Sequence, residues 1–180
     1  IGMLNKTSIN GAVIQMVSHG LMTALFFAAI GMIYSRTHTR MVAQLGGLLK
    51  VMPFISTVFV IAGLCSLGLP GFSGFVAEMT VFMGSWQNPD GVYRIATVIS
   101  AASIVVTAVY ILRATGRTIM GPISDEHALL GDATWNEKFA AGLLIVGILI
   151  IGLAPFLINQ LIMPSTEFLM INIDKAITLK

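Results

Sequence analysis

One apolar run, residues 52–86, constrains the fold of this chain more than any other feature, because Glu78 is its only charged side chain. As a single helix the run would be about 52 Å long at about 1.5 Å per residue, whereas the hydrocarbon core of a bilayer is about 30 Å thick. The middle of the run holds a proline and three glycines, which interrupt or loosen a helix: Gly68, Pro70, Gly71 and Gly74. The run therefore predicts two half-helices joined by an irregular link over residues 69–74.

The rest of the chain has the composition of a membrane protein. Hydrophobic residues make up 56% of the sequence and charged residues only 10%, compared with about 25% charged residues in a soluble domain. A bilayer is crossed by about 20 apolar residues, and the long uncharged runs predict spans over residues 11–34, 52–86, 94–113 and 138–163. The predicted fold is therefore an all-α, polytopic transmembrane helix bundle. It forms a single module over residues 1–180, with its second span broken and a C-terminal tail over residues 164–180.

Glu78 is the main candidate for chemistry in this bundle. A carboxylate inside an apolar span costs several kcal/mol unless it is protonated, paired or hydrated. Irregular backbone at membrane depth is tolerated only where protein or a water-filled cavity covers it, and broken helices of this kind form ion and substrate sites in transporters. Glu78 is therefore predicted to take up and release protons. A structural ion pair or a hydrogen-bonded acid is the alternative.

His19 lies inside the first span and is the second candidate. A neutral imidazole both donates and accepts a hydrogen bond, so it can pass a proton along a chain of polar groups. Gln15 lies one turn before His19 on the same helix face, and Ser18 is adjacent to it. Both are therefore candidates for holding water beside the imidazole. The alternative is a histidine that packs between helices with its hydrogen bonds satisfied.

Two other residues are weaker candidates, and several kinds of site have no sequence signal. His38 lies in the loop after the first span, and Arg113, at the end of the third span, could turn inward toward a water channel. The sequence has no phosphate-binding or dinucleotide-binding glycine motif, no metal-ligand spacing and only one cysteine, Cys65. We therefore expect the chain to bind no cofactor and no metal. Its net charge of +2 gives no indication of nucleic acid.

The distribution of basic residues predicts the orientation of the bundle. Six of them lie in the first and third loops, near the ends of the spans: Arg36, Arg40, Lys50, Arg113, Arg117 and Lys138. Four lie on the opposite side: Lys6, Arg94, Lys175 and Lys180. The positive-inside rule then makes the first side cytoplasmic and places both ends of the chain outside. The third loop, residues 121–137, is acidic and is interpreted as a solvated connector.

Three segments of the chain together resemble one known family. They are GAVIQMVSHGL over residues 11–21, YSRTHTR over residues 34–40 with LGG at residues 45–47, and SLGLPGFSGFVAE over residues 66–78. In combination they are similar to the antiporter-like subunits of proton-pumping NADH:quinone oxidoreductase (respiratory complex I), and most of all to the chain M (chain 4) group. The resemblance implies the C-terminal portion of an inverted-repeat membrane fold.

The resemblance also implies roles for individual residues. The histidine of the family's Ser-His-Gly segment, which stands on a central polar axis, matches His19. The proton-exchanging residue that follows the family's Pro-Gly break matches Glu78, where sibling subunits and Na⁺/H⁺ antiporter subunits usually carry lysine. The residues of the break would keep it open to water: Gly68, Pro70, Gly71 and Gly74.

Partners and location follow from the same resemblance. It implies a subunit of a proton-translocating oxidoreductase in an energy-coupling membrane, the bacterial inner membrane, with NADH, flavin, iron–sulfur clusters and quinone used by other subunits and no redox site here. The implied partners are the lipid bilayer, neighbouring antiporter-like membrane subunits and an N-terminal portion of the same subunit. That portion would carry the family's other intramembrane Glu and Lys residues, and the start at Ile1 is interpreted as the middle of a longer chain.

Three alternatives remain open from the sequence. The first is a subunit of a multi-subunit cation/proton antiporter, although Glu78 in place of lysine favours the oxidoreductase. The second is the membrane arm of a related hydrogenase or ferredoxin-linked complex. The third is a helical filler that no longer pumps.

Overall fold

The computed structural model describes residues 5–178, apart from the side chains of residues 174 and 176–178, and every regular element in that range is helical. The α-helices are Lys6–Thr37 (α1), Pro53–Ser66 (α2), Ser73–Trp86 (α3), Gly91–Thr118 (α4), Trp135–Leu153 (α5) and Pro155–Thr178 (α6). Long enough and apolar enough to cross a bilayer are α1, α4, α5 and the Pro155–Ile173 part of α6. The all-α membrane bundle predicted from the sequence is confirmed.

α1 is the helix on which the bundle is assembled, since it contacts α2, α3, α5 and α6. Asn5 caps its start: the side chain accepts a hydrogen bond from the Ser8 N–H at 2.8 Å and donates one to the Gly84 carbonyl of α3 at 2.6 Å. Further along, a Cβ on Gly11 would stand 2.8 Å from the backbone nitrogen of Val81. Small residues therefore let α1 and α3 pack with their backbones in contact.

The second span is broken, as predicted. α2 ends at Ser66 and α3 begins at Ser73, so the irregular link covers residues 67–72. Gly68 and Gly71 have φ angles of +63° and +97°, in the left-handed region that glycine adopts without steric cost. Each half-helix has 14 residues and is about 21 Å long, so the two together are needed to cross the membrane.

A second helix break covers this link. α5 ends before Ala154, whose backbone is not helical (φ −128°, ψ 60°), and α6 begins at Pro155, which has no N–H with which to continue α5. A Cβ on Gly152 would collide with the carbonyl oxygen of Gly71 and would lie 2.7 Å from the carbonyl carbon of Phe72. The α5–α6 junction therefore lies on the Gly71–Phe72 part of the link and gives this irregular backbone the protein cover that it needs at membrane depth.

The same junction gives the end of the chain a course different from the expected one. The sequence analysis placed one span over residues 138–163 and a tail from residue 164. The structure instead divides this region at Ala154, and α6 continues past Pro164 to Thr178. Residues 179–180 of the expected tail lie outside the described residues.

The loop between α4 and α5 is anchored by Arg36, at the end of α1. The Arg36 guanidinium makes a bidentate ion pair with Glu137 of α5, with N···O distances of 2.7 and 3.1 Å. It also donates to the carbonyl oxygens of Gly131 at 2.9 Å and Asp132 at 3.0 Å. This part of the loop is thus tied to the bundle and differs from the solvated connector expected from its acidic composition.

Candidate functional site

A polar cavity of about 190 Å³ lies between α1, α2, α3 and α4, beside the helix break. The residues that line it are Gln15, Ser18, His19, Met22, Cys65, Ser66, Gly74, Glu78, Thr107 and Tyr110. Five of them were singled out by the sequence analysis: Gln15, Ser18, His19, Gly74 and Glu78. Residues that are separate in the sequence, on α1 and on α3, therefore line one cavity.

Glu78 reaches the cavity from the second turn of α3. Its neighbour Ala77 is fully buried and packs with Ile14 of α1 and Ile151 of α5, which fixes this part of α3 in the core. The carboxylate lies against the link, because a Cβ on Gly68 would stand 3.0 Å from the Glu78 Cδ atom. No described side chain forms a hydrogen bond or ion pair with this carboxylate. Its hydrogen-bonding capacity is therefore left for molecules or groups that enter the cavity.

α1 supplies an amide and an imidazole to the cavity, one turn apart. The Oε1 atom of Gln15 is buried and has no hydrogen-bond partner among the described residues, although buried acceptors normally have one. The His19 side chain borders the cavity and is otherwise exposed on the outer face of α1. The cavity thus combines a free acceptor with a group that can both take up and give up a proton.

A buried set of small polar side chains fixes α1 and the two half-helices to one another. The Ser18 hydroxyl donates to the Ser73 hydroxyl at 2.7 Å, and the Cys65 sulfur lies 3.6 Å from the same oxygen. All three residues are buried. Because Ser73 is the first residue of α3 and Cys65 is near the end of α2, this contact holds both sides of the break at the cavity.

The glycines and the proline of the break have different surroundings. A Cβ on Gly74 would stand 2.5 Å from the Cys65 carbonyl oxygen, so this glycine allows α3 to begin directly against the end of α2. Gly68 contacts Glu78, whereas Gly71 contacts the α5–α6 junction and Pro70 is exposed. Of these four residues, Gly74 lines the cavity, whereas Gly68, Pro70 and Gly71 do not.

The two weaker candidates lie outside the cavity. His38 ends α1 with a left-handed φ of +51°, and its N–H donates to the Tyr34 carbonyl at 2.8 Å. Arg113 is exposed on α4. Neither residue is among those that line the cavity.

Sequence reasoning did not find the contribution of α4. Thr107 and Tyr110 line the cavity from this helix. They are three residues apart, and such residues share a helix face. A pair of polar side chains at that spacing within an apolar span was the available signal.

The cavity has the chemical properties of a site for proton exchange. It combines a carboxyl group, an imidazole, an amide and several hydroxyls, all of which bind water. Its volume of about 190 Å³ is large enough to hold water molecules. Among the described residues, no group of three His, Cys, Asp or Glu side chains could hold a metal ion.

The sequence of this chain is similar to those of known proteins. A family model described as NADH:quinone oxidoreductase/Mrp antiporter, transmembrane, matches residues 1–102. The NAD(P)H-quinone oxidoreductase chain 4 of Synechococcus elongatus is 38% identical over 163 residues, which cover 89% of this chain and 31% of that protein. The chain thus spans about a third of the length of the curated relatives that it matches.

Solved structures share the fold. Respiratory complex I from Thermus thermophilus contains a chain that matches with a TM-score of 0.82 and 22% identity, over 93% of this chain and 34% of that one. The Mrp complex of a Dietzia species contains one that matches with a TM-score of 0.80 and 19% identity, over 91% of this chain and 38% of that one. With the family model matched over more than half of the sequence, the resemblance drawn from residues 11–78 is confirmed, and the chain belongs to the NADH:quinone oxidoreductase/Mrp antiporter transmembrane family.

Proposed function

We propose that this chain is the C-terminal portion of a chain M (chain 4) subunit of a proton-translocating NADH:quinone oxidoreductase. The observation that carries the proposal is that His19 and Glu78 line one cavity beside a covered helix break. In this role His19 relays a proton along the polar axis, and Glu78 is the acid that receives it and releases it toward the outside. Gln15 and Ser18 support the relay by holding water beside the imidazole.

The electron transfer that drives this movement belongs to other subunits of the complex. Those subunits use NADH, flavin, iron–sulfur clusters and quinone, and this chain contributes no redox site. The remaining intramembrane Glu and Lys residues come from the rest of the same subunit, and neighbouring antiporter-like subunits continue the polar axis. The complex lies in an energy-coupling membrane, and the basic residues in the first and third loops support an orientation with both ends of this chain outside.

Electrostatics supports a switch at Glu78. A tenfold change in the proton affinity of a carboxyl group corresponds to about 1.4 kcal/mol. Two opposite charges that are 4 Å apart interact by about 4 kcal/mol at the dielectric constant typical of protein surroundings. The movement of one neighbouring charge toward or away from the cavity is therefore enough to bind or release the proton.

Glu78→Gln in the intact complex, reconstituted in liposomes, tests this proposal. We expect proton translocation and the coupled oxidoreductase rate to fall at least tenfold, because a positioned proton-transfer group typically contributes about 10²–10⁴-fold. Glu78→Asp should keep much of the activity, since it keeps an acid. Glu126→Gln is the matched control, because Glu126 is exposed in the loop after α4 and lies outside the cavity. Unchanged translocation in Glu78→Gln would overturn the role of Glu78.

A cation/proton antiporter subunit is the second candidate function. It is favoured by one observation, namely that the Mrp complex matches the fold almost as well as complex I does, with TM-scores of 0.80 and 0.82. Glu78, in place of the lysine usual in antiporter subunits, argues against it. Proton movement that depends on added Na⁺ and proceeds without quinone reduction would establish the antiporter instead.

A further inference from the structure

The Glu78 carboxylate lies where the side chain of residue 68 would be if that residue were not glycine. The position that a Cβ on Gly68 would take is 3.0 Å from the Glu78 Cδ atom and 3.4 Å from Oε1, and Oε2 is nearer still. Real Cβ atoms essentially never approach other atoms to less than 3.0 Å. The carboxylate therefore fills the space that the missing side chain of residue 68 leaves free.

The geometry of α3 explains why the Glu78 side chain reaches this space. Side chains on a helix lean toward its N-terminus and lie over the preceding turn, and Gly74 is the residue one turn before Glu78. The first turn of α3 lies on the link, since a Cβ on Gly74 would be 3.8 Å from the Gly68 Cα atom. The Glu78 side chain thus extends back over Gly74 and ends at Gly68.

Backbone strain and a collision with the Glu78 carboxylate both act against a side chain at Gly68, and comparison with Gly71 distinguishes the two effects. Both residues have a positive φ, +63° and +97°, so a substitution strains the backbone at either position. The nearest atom to a Cβ on Gly71 is the Leu153 Cδ2 atom at 3.9 Å, which is an ordinary contact. Only Gly68 therefore adds a collision with the carboxylate to the backbone strain.

We propose that Gly68 is a positioning residue for Glu78, because its missing side chain sets where the carboxylate can lie in the cavity. A methyl group at residue 68 displaces a glutamate carboxylate from this position. An aspartate at residue 78, which is one methylene shorter, ends before the methyl group and is not displaced. Residue 68 thus determines which length of acid fits the site. The effect on proton transfer rests on the proposed function, whereas the position of the carboxylate does not.

The test uses four variants of the intact complex in lipid nanodiscs: Gly68→Ala, Gly71→Ala, Glu78→Asp and the double variant Gly68→Ala/Glu78→Asp. The first measurement is the rate at which a hydrophobic carbodiimide labels residue 78, followed by peptide mass spectrometry. We expect Gly68→Ala to change this rate severalfold and Gly71→Ala to leave it close to that of the wild type. In the Glu78→Asp background, Gly68→Ala should produce no further change.

The second measurement is proton translocation by the same variants in liposomes. We expect Gly68→Ala to reduce it about tenfold or more, because a misplacement of 1 Å can cost up to about a hundredfold in a positioned reaction. Gly68→Ala should have little additional effect in the Glu78→Asp background. If Gly68→Ala reduces translocation with glutamate but not with aspartate at residue 78, the cause is displacement of the carboxylate. General backbone strain from Gly68→Ala would remain in the double variant and would not be suppressed.

Two outcomes would overturn the proposal: equal labelling in Gly68→Ala and Gly71→Ala, or an equal effect of Gly68→Ala with glutamate and with aspartate at residue 78. If Gly68→Ala does not assemble, assembly becomes the measurement: recovery in the double variant supports the proposal and failure to recover contradicts it. If labelling responds as expected while neither Gly68→Ala nor Glu78→Gln affects translocation, the positioning role stands and the proposed function fails.

Discussion

The carboxylate of Asp132 caps α2 from a distance of 78 residues in the sequence, since its Oδ2 atom accepts a hydrogen bond from the N–H of Phe54 at 2.9 Å. Its Oδ1 atom accepts a second one from the N–H of Ile55 at 3.2 Å. α2 has no side-chain cap of its own, because Met52 occupies the N-cap position. A loop residue thus supplies the negative charge that the start of this half-helix favours.

Asp132→Ala should therefore destabilise the chain. Loss of a capping side chain typically costs about 0.5–2 kcal/mol, and the first-turn N–H groups of α2 would lose their only side-chain acceptor among the described residues. Thermal unfolding of the reconstituted complex, followed at this subunit, measures the effect. Asp125→Ala is the matched control, because Asp125 is an exposed residue of the same loop, and an equal loss in both variants would contradict the capping role.

Arg36→Lys tests the bidentate ion pair with Glu137 that joins α1 to α5. Arginine donates in parallel to both Glu137 oxygens and also to two loop carbonyls, whereas lysine is a single point of positive charge. We expect a loss of about 1.5–3 kcal/mol in the free energy of unfolding, the range for hydrogen bonds to charged groups. Arg117→Lys, at an exposed position near the end of α4, should change stability by less than about 0.5 kcal/mol.

The contact between the two helix breaks can be tested with glycines of one helix. Gly152→Ala places a methyl group on the Gly71 carbonyl oxygen, whereas nothing lies within 4 Å of a Cβ on Gly142. Overpacking of this kind costs about 1–3 kcal/mol, so Gly152→Ala should lower the melting temperature of the reconstituted complex. Gly142→Ala should leave it unchanged or raise it slightly, because alanine favours a helix. Similar behaviour of the two variants would show that the junction is loosely packed.

Ser18 and Ser73 are predicted to act as a pair. Their buried hydroxyl–hydroxyl hydrogen bond of 2.7 Å joins α1 to the start of α3. Replacement of either serine by alanine should cost about 1 kcal/mol, although in Ser18→Ala the Ser73 hydroxyl keeps its contact with the Cys65 sulfur. A double-mutant cycle measured by unfolding should then show a double variant less destabilised than the sum of the single ones. Additive losses would mean that the hydrogen bond contributes little.

Local sequence signals were sufficient to predict the break in the second span and to single out Glu78. The glycines and the proline around Gly68 define the link, the carboxyl group of Glu78 is the only charge in its run, and the thickness of a bilayer leaves few ways to fold such a segment. His19 could be placed inside the first span on the same grounds. The packing of α1 against α3 then brings His19 and Glu78 to one cavity.

The remaining features depend on contacts between distant residues. Nothing around Asp132 indicates that its carboxylate caps a helix 78 residues away. Hydropathy alone does not show that the chain breaks at Ala154 and continues as a helix through Pro164, because either proline of that region could end a helix. The position of Gly152 against Gly71 accompanies the break at Ala154. Only the packed structure contains that information.

The two helix breaks share their backbone contact, and this has a mechanical consequence. A hinge motion of α3 that moves the Gly71 carbonyl toward α5 would meet Gly152, unless α5 and α6 bent at Ala154 in the same movement. We therefore expect the two helix breaks to move together rather than independently. A displacement of α6 would then reach the segment that carries Glu78 through this backbone contact.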